Sequence, residues 1–203
     1  MAQAVSQNDH GHHDHGHHDP QELKMLGFWI FLITDVILFG TLFATYVVLH
    51  HNTAGGPSGA DIFEMPGVIA ETFILLTSSF TSGLAVLAMN KGKVKQLIGW
   101  LVVTWILGAA FIYLEVDEFA KLIHEGHGFS GSAFLSSFFT LVGTHGLHVS
   151  MGLGWMLLLI IQLSRRGIND VTRGKINVIS LYWHFLDAVW IFLLSVVYLM
   201  GVM

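Results

Sequence analysis

Long apolar runs broken by short polar stretches organise this chain. Five runs stand out, over residues 25–49, 67–89, 97–116, 134–163 and 178–202. A helix needs about 20 residues to cross the hydrocarbon of a bilayer, and each run reaches that length. None shows the alternation of a half-buried strand, and lipid admits only helices or closed barrels. Pro20, Pro57 and Pro66 all fall outside the runs, as helix propensity requires. The pattern therefore predicts an all-α, polytopic bundle of five transmembrane helices over residues 25–203. Residues 115–124 read as a continuation of the third helix out of the membrane, a solvated end with Glu118 and Lys121 at i, i+3.

The polar connections set an orientation. Lys24, Lys91, Lys93, Lys95, Arg165, Arg166, Arg173 and Lys175 all fall on one side of the predicted bundle, and Lys121 alone falls on the other. By the positive-inside rule the N-terminus is cytoplasmic and the C-terminus lies outside. Composition agrees, with 53% hydrophobic and only 11% charged residues against about 25% charged in a soluble domain. No basic patch interleaved with aromatics points to nucleic acid. The chain has no cysteine, which excludes disulfides, iron–sulfur clusters, thiolate-bound copper and covalently attached c-type haem. Residues 1–24 hold no apolar run of the kind a cleavable signal peptide needs. Their tract of six histidines over residues 10–19 reads as a disordered, solvated cytoplasmic tail.

Candidate chemistry lies in the polar side chains inside the spans, where ionisable groups are expensive. Asp35 lies about 15 Å into the first span, near the midplane. His145 and His148 share a face near the middle of the fourth span. His184 and Asp187 share a face of the fifth, and Glu71 lies a turn or so inside the outer edge of the second. Asp35, His148, His184 and Asp187 could meet in one interior polar layer if the first, fourth and fifth helices are neighbours. Gly146, Ser150 and Gly154, at i, i+4 and i+8, form a stripe that would let helices approach closely, and Gly40 with Ala44 repeats it. Two histidines on facing helices can hold a b-type haem, and His145 or His148 with His184 would supply them. The histidines are too few for a binuclear haem–copper centre, and no Glu-x-x-His pair of the di-iron type lies in the membrane core.

Two motifs carry a resemblance. Val142-Gly-Thr-His-Gly-Leu-His-Val149 and Tyr182-Trp-His-Phe-Leu-Asp-Ala-Val-Trp190 resemble the signature pair of subunit III of the haem–copper respiratory oxidases. Ile33-Thr-Asp-Val-Ile-Leu-Phe39 is similar to that family's first shared segment, with Asp35 where the family usually has a mid-membrane Glu. Glu118 matches an acid at the end of the corresponding helix. Five spans, and an outer loop over residues 52–66, resemble the bo-type ubiquinol oxidase branch, although five-helix cytochrome c oxidases also exist. The resemblance implies a non-catalytic subunit of a proton-pumping quinol:oxygen oxidoreductase in a bacterial cytoplasmic membrane. It implies haems and copper in partner subunit I and none in this chain, with subunit II and a small subunit IV as further partners. Bound phospholipid, stabilisation of the catalytic subunit and an influence of Asp35 on proton uptake are also implied. His145, His148, His184, Asp187, Glu71 and Glu118 would then be structural. A free-standing b-haem carrier and a proton-coupled transporter remain the readings from other classes.

Overall fold

The computed structural model describes residues 20–50, 65–126 and 132–199. The histidine-rich tail and most of the outer loop after the first span lie outside the described residues. Five helices follow one another: α1 (Pro20–Leu49), α2 (Met65–Asn90), α3 (Val94–His124), α4 (Ala133–Arg166) and α5 (Asp170–Leu193). A π-helical turn, Leu194–Leu199, continues α5. Each helix is long and apolar enough to cross a membrane, and no strand occurs among the described residues. The helices outrun the predicted spans, because their polar ends project past the hydrocarbon. Pro20 and Pro66 lie within the first turns of α1 and α2, where a missing N–H costs nothing.

The two basic connections are tight, and their chemistry explains why. After α2, Gly92 adopts a φ of 68°. Its N–H bonds Met89 O at 2.9 Å and the Lys93 N–H bonds Ala88 O at 3.0 Å, the paired bonds that close a helix through a left-handed glycine. After α4, Gly167 (φ 66°) ends the helix with a single bond, its N–H to Leu163 O at 2.9 Å. Asn169 and Thr172 then start α5 reciprocally, with the Thr172 N–H bonding Asn169 Oδ1 at 2.8 Å and the Asn169 N–H bonding Thr172 Oγ1 at 2.7 Å. Each turn thus sends the chain straight back along its neighbour.

Helices α2 to α5 close an up-down-up-down ring in which α2 also meets α5, and α1 packs outside against α4 and α5. The ring is filled by large side chains, including Trp183, Trp190, Phe111, Phe138 and Met156, all buried. The indoles are anchored at their polar ends. Trp183 Nε1 donates to Ser78 Oγ at 3.0 Å, Trp190 Nε1 to Thr72 Oγ1 at 3.1 Å and Trp105 Nε1 to Leu153 O at 3.1 Å. Tyr46 Oη donates to Val197 O within the π-helical turn at 3.2 Å, tying α1 to the end of α5. A donor at the end of an apolar ring is costly in lipid unless it is met, so these bonds fix which indole meets which helix.

Close approach occurs at glycines, of which Gly146 alone belongs to the predicted stripe. A Cβ at Gly108 would lie 2.8 Å from the Trp183 ring, and one at Gly152 would lie 3.0 Å from the Tyr182 ring. Of the stripe, Gly146 alone is buried, against Glu115; Ser150 and Gly154 are exposed, and a Cβ at Gly154 would meet nothing. Gly40 and Ala44 are exposed too. The correction is physical: lipid is as apolar as the bundle interior, so spacing alone does not say which stripe faces protein.

Candidate functional site

The α1–α4 seam builds the mid-membrane centre. Asp35 is 5% exposed and His148 is 8% exposed, and His148 Nε2 stands 3.6 Å from Asp35 Oδ1. His148 Nδ1 lies 2.7 Å from Thr144 O one turn back. A carbonyl only accepts, so Nδ1 carries a hydrogen and the Nε2 lone pair or N–H is turned toward the carboxyl. Phe39, one turn beyond Asp35, covers His148 with ring centroids 5.2 Å apart. Tyr182 on α5 donates to His148 O at 3.1 Å. Asp35 Oδ2 has no hydrogen-bond partner among the described residues.

His145, three residues before His148, is fully buried in a different setting. Its Nε2 donates to Leu186 O at 3.3 Å, and Trp190, Phe111 and Phe39 surround the ring at 5.3, 5.9 and 6.4 Å. This imidazole joins α4 to α5 through the Leu186 carbonyl.

The predicted layer of four splits in two. Asp35 and His148 meet, whereas His184 is exposed on the opposite side of α5, its Nδ1 2.6 Å from Ser79 Oγ on α2. Level along a helix does not fix which way a side chain turns about its axis. An interior place for it is therefore corrected to a surface one in the isolated chain. Asp187 is buried, with its carboxyl toward Ser79 of α2.

A third polar group lies toward the end of the bundle away from the basic turns. Glu71 of α2 and Glu115 of α3 are 3% and 4% exposed, and Glu118 lies within electrostatic reach of both. The Glu115 carboxyl occupies the space a side chain at position 146 would need. Around Glu118 the helix end carries an exposed ion pair between Lys121 and Asp117 at 2.8 Å, while Glu115, one turn earlier, faces inward. Glu115 was the residue missed. The signal was the buried stripe Leu97, Leu101, Thr104, Gly108, Phe111, whose next step of four residues lands on it.

At the basic end, α1, α4 and α5 enclose a cavity of about 770 Å³. Phe28, Phe31 and Trp155 form its apolar wall, and Arg173, Lys175 and Asn177 bring polar groups to it. Lys175 Nζ is steadied by Gln162 Oε1 at 2.8 Å. Phe28 and Phe31 touch Tyr182 with centroids 6.5 and 6.3 Å apart, so the wall runs up to the residue that holds His148. No cluster of three or more metal-ligating side chains occurs among the described residues.

Comparison with known proteins gives the same answer from two directions. The family model for cytochrome c oxidase subunit III matches residues 4–202. The chain is similar to the cytochrome bo(3) ubiquinol oxidase subunit 3 of Pseudomonas aeruginosa, with 60% identity over 87% of this chain and 85% of that protein. It is similar to the quinol oxidase subunit 3 of Bacillus subtilis, with 51% identity over 88% of each chain. It is equally similar to the cytochrome c oxidase subunit 3 of Bacillus sp. PS3, with 51% identity over 88% of this chain and 86% of that one.

Proposed function

We infer the function of this chain from the family to which it belongs, cytochrome c oxidase subunit III. It is the accessory third subunit of a terminal quinol oxidase, a quinol:oxygen oxidoreductase, and works only as part of that complex. Oxygen reduction, with its haems and copper, belongs to subunit I, and this chain stabilises it alongside subunit II and a small subunit IV. Quinol is assigned as donor because relatives named for quinol oxidases match at 60% and 51% identity over nearly the whole chain. The basic turns face the cytoplasm of a bacterial cell and the chain lies in its cytoplasmic membrane, a reading supported by the segregation of lysines and arginines.

The observation that carries a role for the site is the buried Asp35–His148 pair at mid-membrane depth. A proton held between a buried carboxyl and an imidazole leaves the pair neutral in lipid, and its release leaves one carboxylate beside the neutral ring. The pair would buffer proton supply to the catalytic subunit; it is no relay by itself, because a relay needs successive groups. The cavity at the basic end would hold a phospholipid, acyl chains on Phe28, Phe31 and Trp155 and phosphate near Arg173 and Lys175. Phe31 lies one turn before Asp35, so a lipid there would shield the pair from the cytoplasmic side.

Mild-detergent purification of the tagged chain tests the reading. Haem-bearing and copper-bearing partners should come down with it, and the complex should reduce oxygen with ubiquinol but not with cytochrome c. Oxidation of cytochrome c by that complex would replace the donor and keep the family role. Recovery of the chain alone, active or carrying a b-haem, would overturn the role itself.

A further inference from the structure

We propose that the groove between α2 and α5 around His184 receives a transmembrane helix from another subunit of the oxidase, whose polar side chain bonds His184 Nε2. The proposal rests on the reading of the chain as one subunit of a larger complex.

At hydrocarbon depth the carboxyls and imidazoles of Asp35, Glu71, Glu115, His145, His148 and Asp187 are all buried in the bundle, and His184 is exposed. Exposed hydroxyls in the spans are no parallel, because Thr34, Thr41, Thr45, Thr77 and Thr140 each bond a carbonyl of their own helix. His184 does not turn back in this way. Ser79 on α2 holds Nδ1 at 2.6 Å, and no described residue meets Nε2. An imidazole fixed by one nitrogen presents the other in a set direction, which here is outward.

Acyl chains offer no hydrogen-bonding group there, and the near edge of the hydrocarbon lies about 9 Å away, six residues back along the helix at residue 178. A polar group left unmet in lipid is costly, so the surface around His184 is expected to be covered by something that is polar at that depth. A helix meets that need. The groove has a volume of about 440 Å³ and is walled by Leu76, Phe80 and Leu84, with Ser79 and Gly83 four residues apart on its floor. A Cβ built at Gly83 meets nothing within 4 Å, so the smallness of this position is not used by the chain's own fold. Small residues at that spacing admit a partner backbone closely. Asp187, buried one turn further along α5, brings its carboxyl to the same Ser79, so the polar row on this side of α5 runs through that hydroxyl. The incoming side chain is therefore one with a hydroxyl, amide or carboxyl, able to join the row Ser79–His184.

Photocrosslinking in the assembled oxidase within native membranes tests this without disturbing His184. A benzophenone side chain at Gly83 should give an adduct with a neighbouring subunit, and one at Leu158, exposed on α4, sets the background. In parallel, His184→Leu should lower the amount of chain retained by the complex in mild detergent about tenfold, the scale of one interhelical hydrogen bond, while His184→Gln retains it. Adducts at Gly83 only with lipid, or only with a second copy of this chain, would overturn the proposal. So would full retention of His184→Leu. Either result, obtained on a complex that still holds haem-bearing partners, leaves the proposed function standing; absence of those partners altogether would remove it.

Discussion

Gly146→Ala is the smallest change that tests how the bundle accommodates its buried acids. A Cβ built at Gly146 lies 2.6 and 2.7 Å from the two oxygens of Glu115 and 2.9 Å from its carboxyl carbon. Real Cβ atoms do not approach other atoms that closely, so the methyl and the carboxyl cannot both keep their places. Glu115 is 4% exposed, within the ring closed by α3 and α4, and has little room to turn. Overpacking of this kind costs about 1–3 kcal/mol, and moving a buried carboxyl against its neighbours places the effect toward the upper end. In a chain of this size that lowers the melting temperature by about 2–4 °C for each kcal/mol. The assay is a double-mutant cycle on the assembled complex in detergent, read by thermal dissociation of this chain. Glu115→Ala empties the space the new methyl needs, so Gly146→Ala should cost about 1 kcal/mol or less in that background. Equal costs of Gly146→Ala in the two backgrounds would show that the contact is not what keeps position 146 a glycine. A neutral Gly146→Ala in the unmodified chain would refute the reasoning outright.

Three further changes separate the roles assigned above. Asp35→Leu leaves the His148 Nε2 without its carboxyl, so oxygen consumption driven by quinol should slow at high turnover while haem content stays constant; Asp35→Glu should restore it, and unchanged proton uptake in Asp35→Leu would remove the assigned role. Trp190→Phe removes the Nε1 donor to Thr72 but keeps most of the ring contact with Phe111 at 4.7 Å; Thr72 still bonds Val68 O, so the loss should be about 1 kcal/mol in thermal dissociation rather than a collapse. Arg173→Ala combined with Lys175→Ala should reduce anionic phospholipid carried through purification, counted by lipid extraction, with haem content and partner stoichiometry unchanged.

Much of the fold is legible in one dimension. Hydrocarbon thickness demands a minimum length of apolar chain, and water on both sides demands polar breaks, so the helices and their order follow from counting. Turn chemistry is equally local: Gly92 and Gly167 stand where the backbone needs a positive φ, and Asn169 with Thr172 marks a helix start three residues apart. Depth too is readable, because rise per residue is constant; Asp35 and His148 are both near the middle, and they meet.

Rotation about each helix axis is where the reading stops, and the membrane is the reason. In water a helix turns its apolar face inward, so the pattern names the face. In lipid both faces are apolar, and the choice passes to size and to hydrogen bonds between particular partners. Ser150 and Gly154 look like a packing stripe yet face outward, whereas Gly108 and Gly152 make the close approaches because Trp183 and Tyr182 of α5 need their space. Those two aromatics are placed in turn by Ser78 and by the His148 carbonyl, on two different helices. The same logic bears on the polar residues. Glu115 lies inward because a buried stripe passes through it and Gly146 leaves it space, and His184 lies outward because Trp183 and Asp187 beside it take the interior. A polar residue turned out by its own bundle is then informative in a way that a buried one is not. Buried, it is accounted for by the chain; exposed within the hydrocarbon, it points to a contact that the chain does not make with itself.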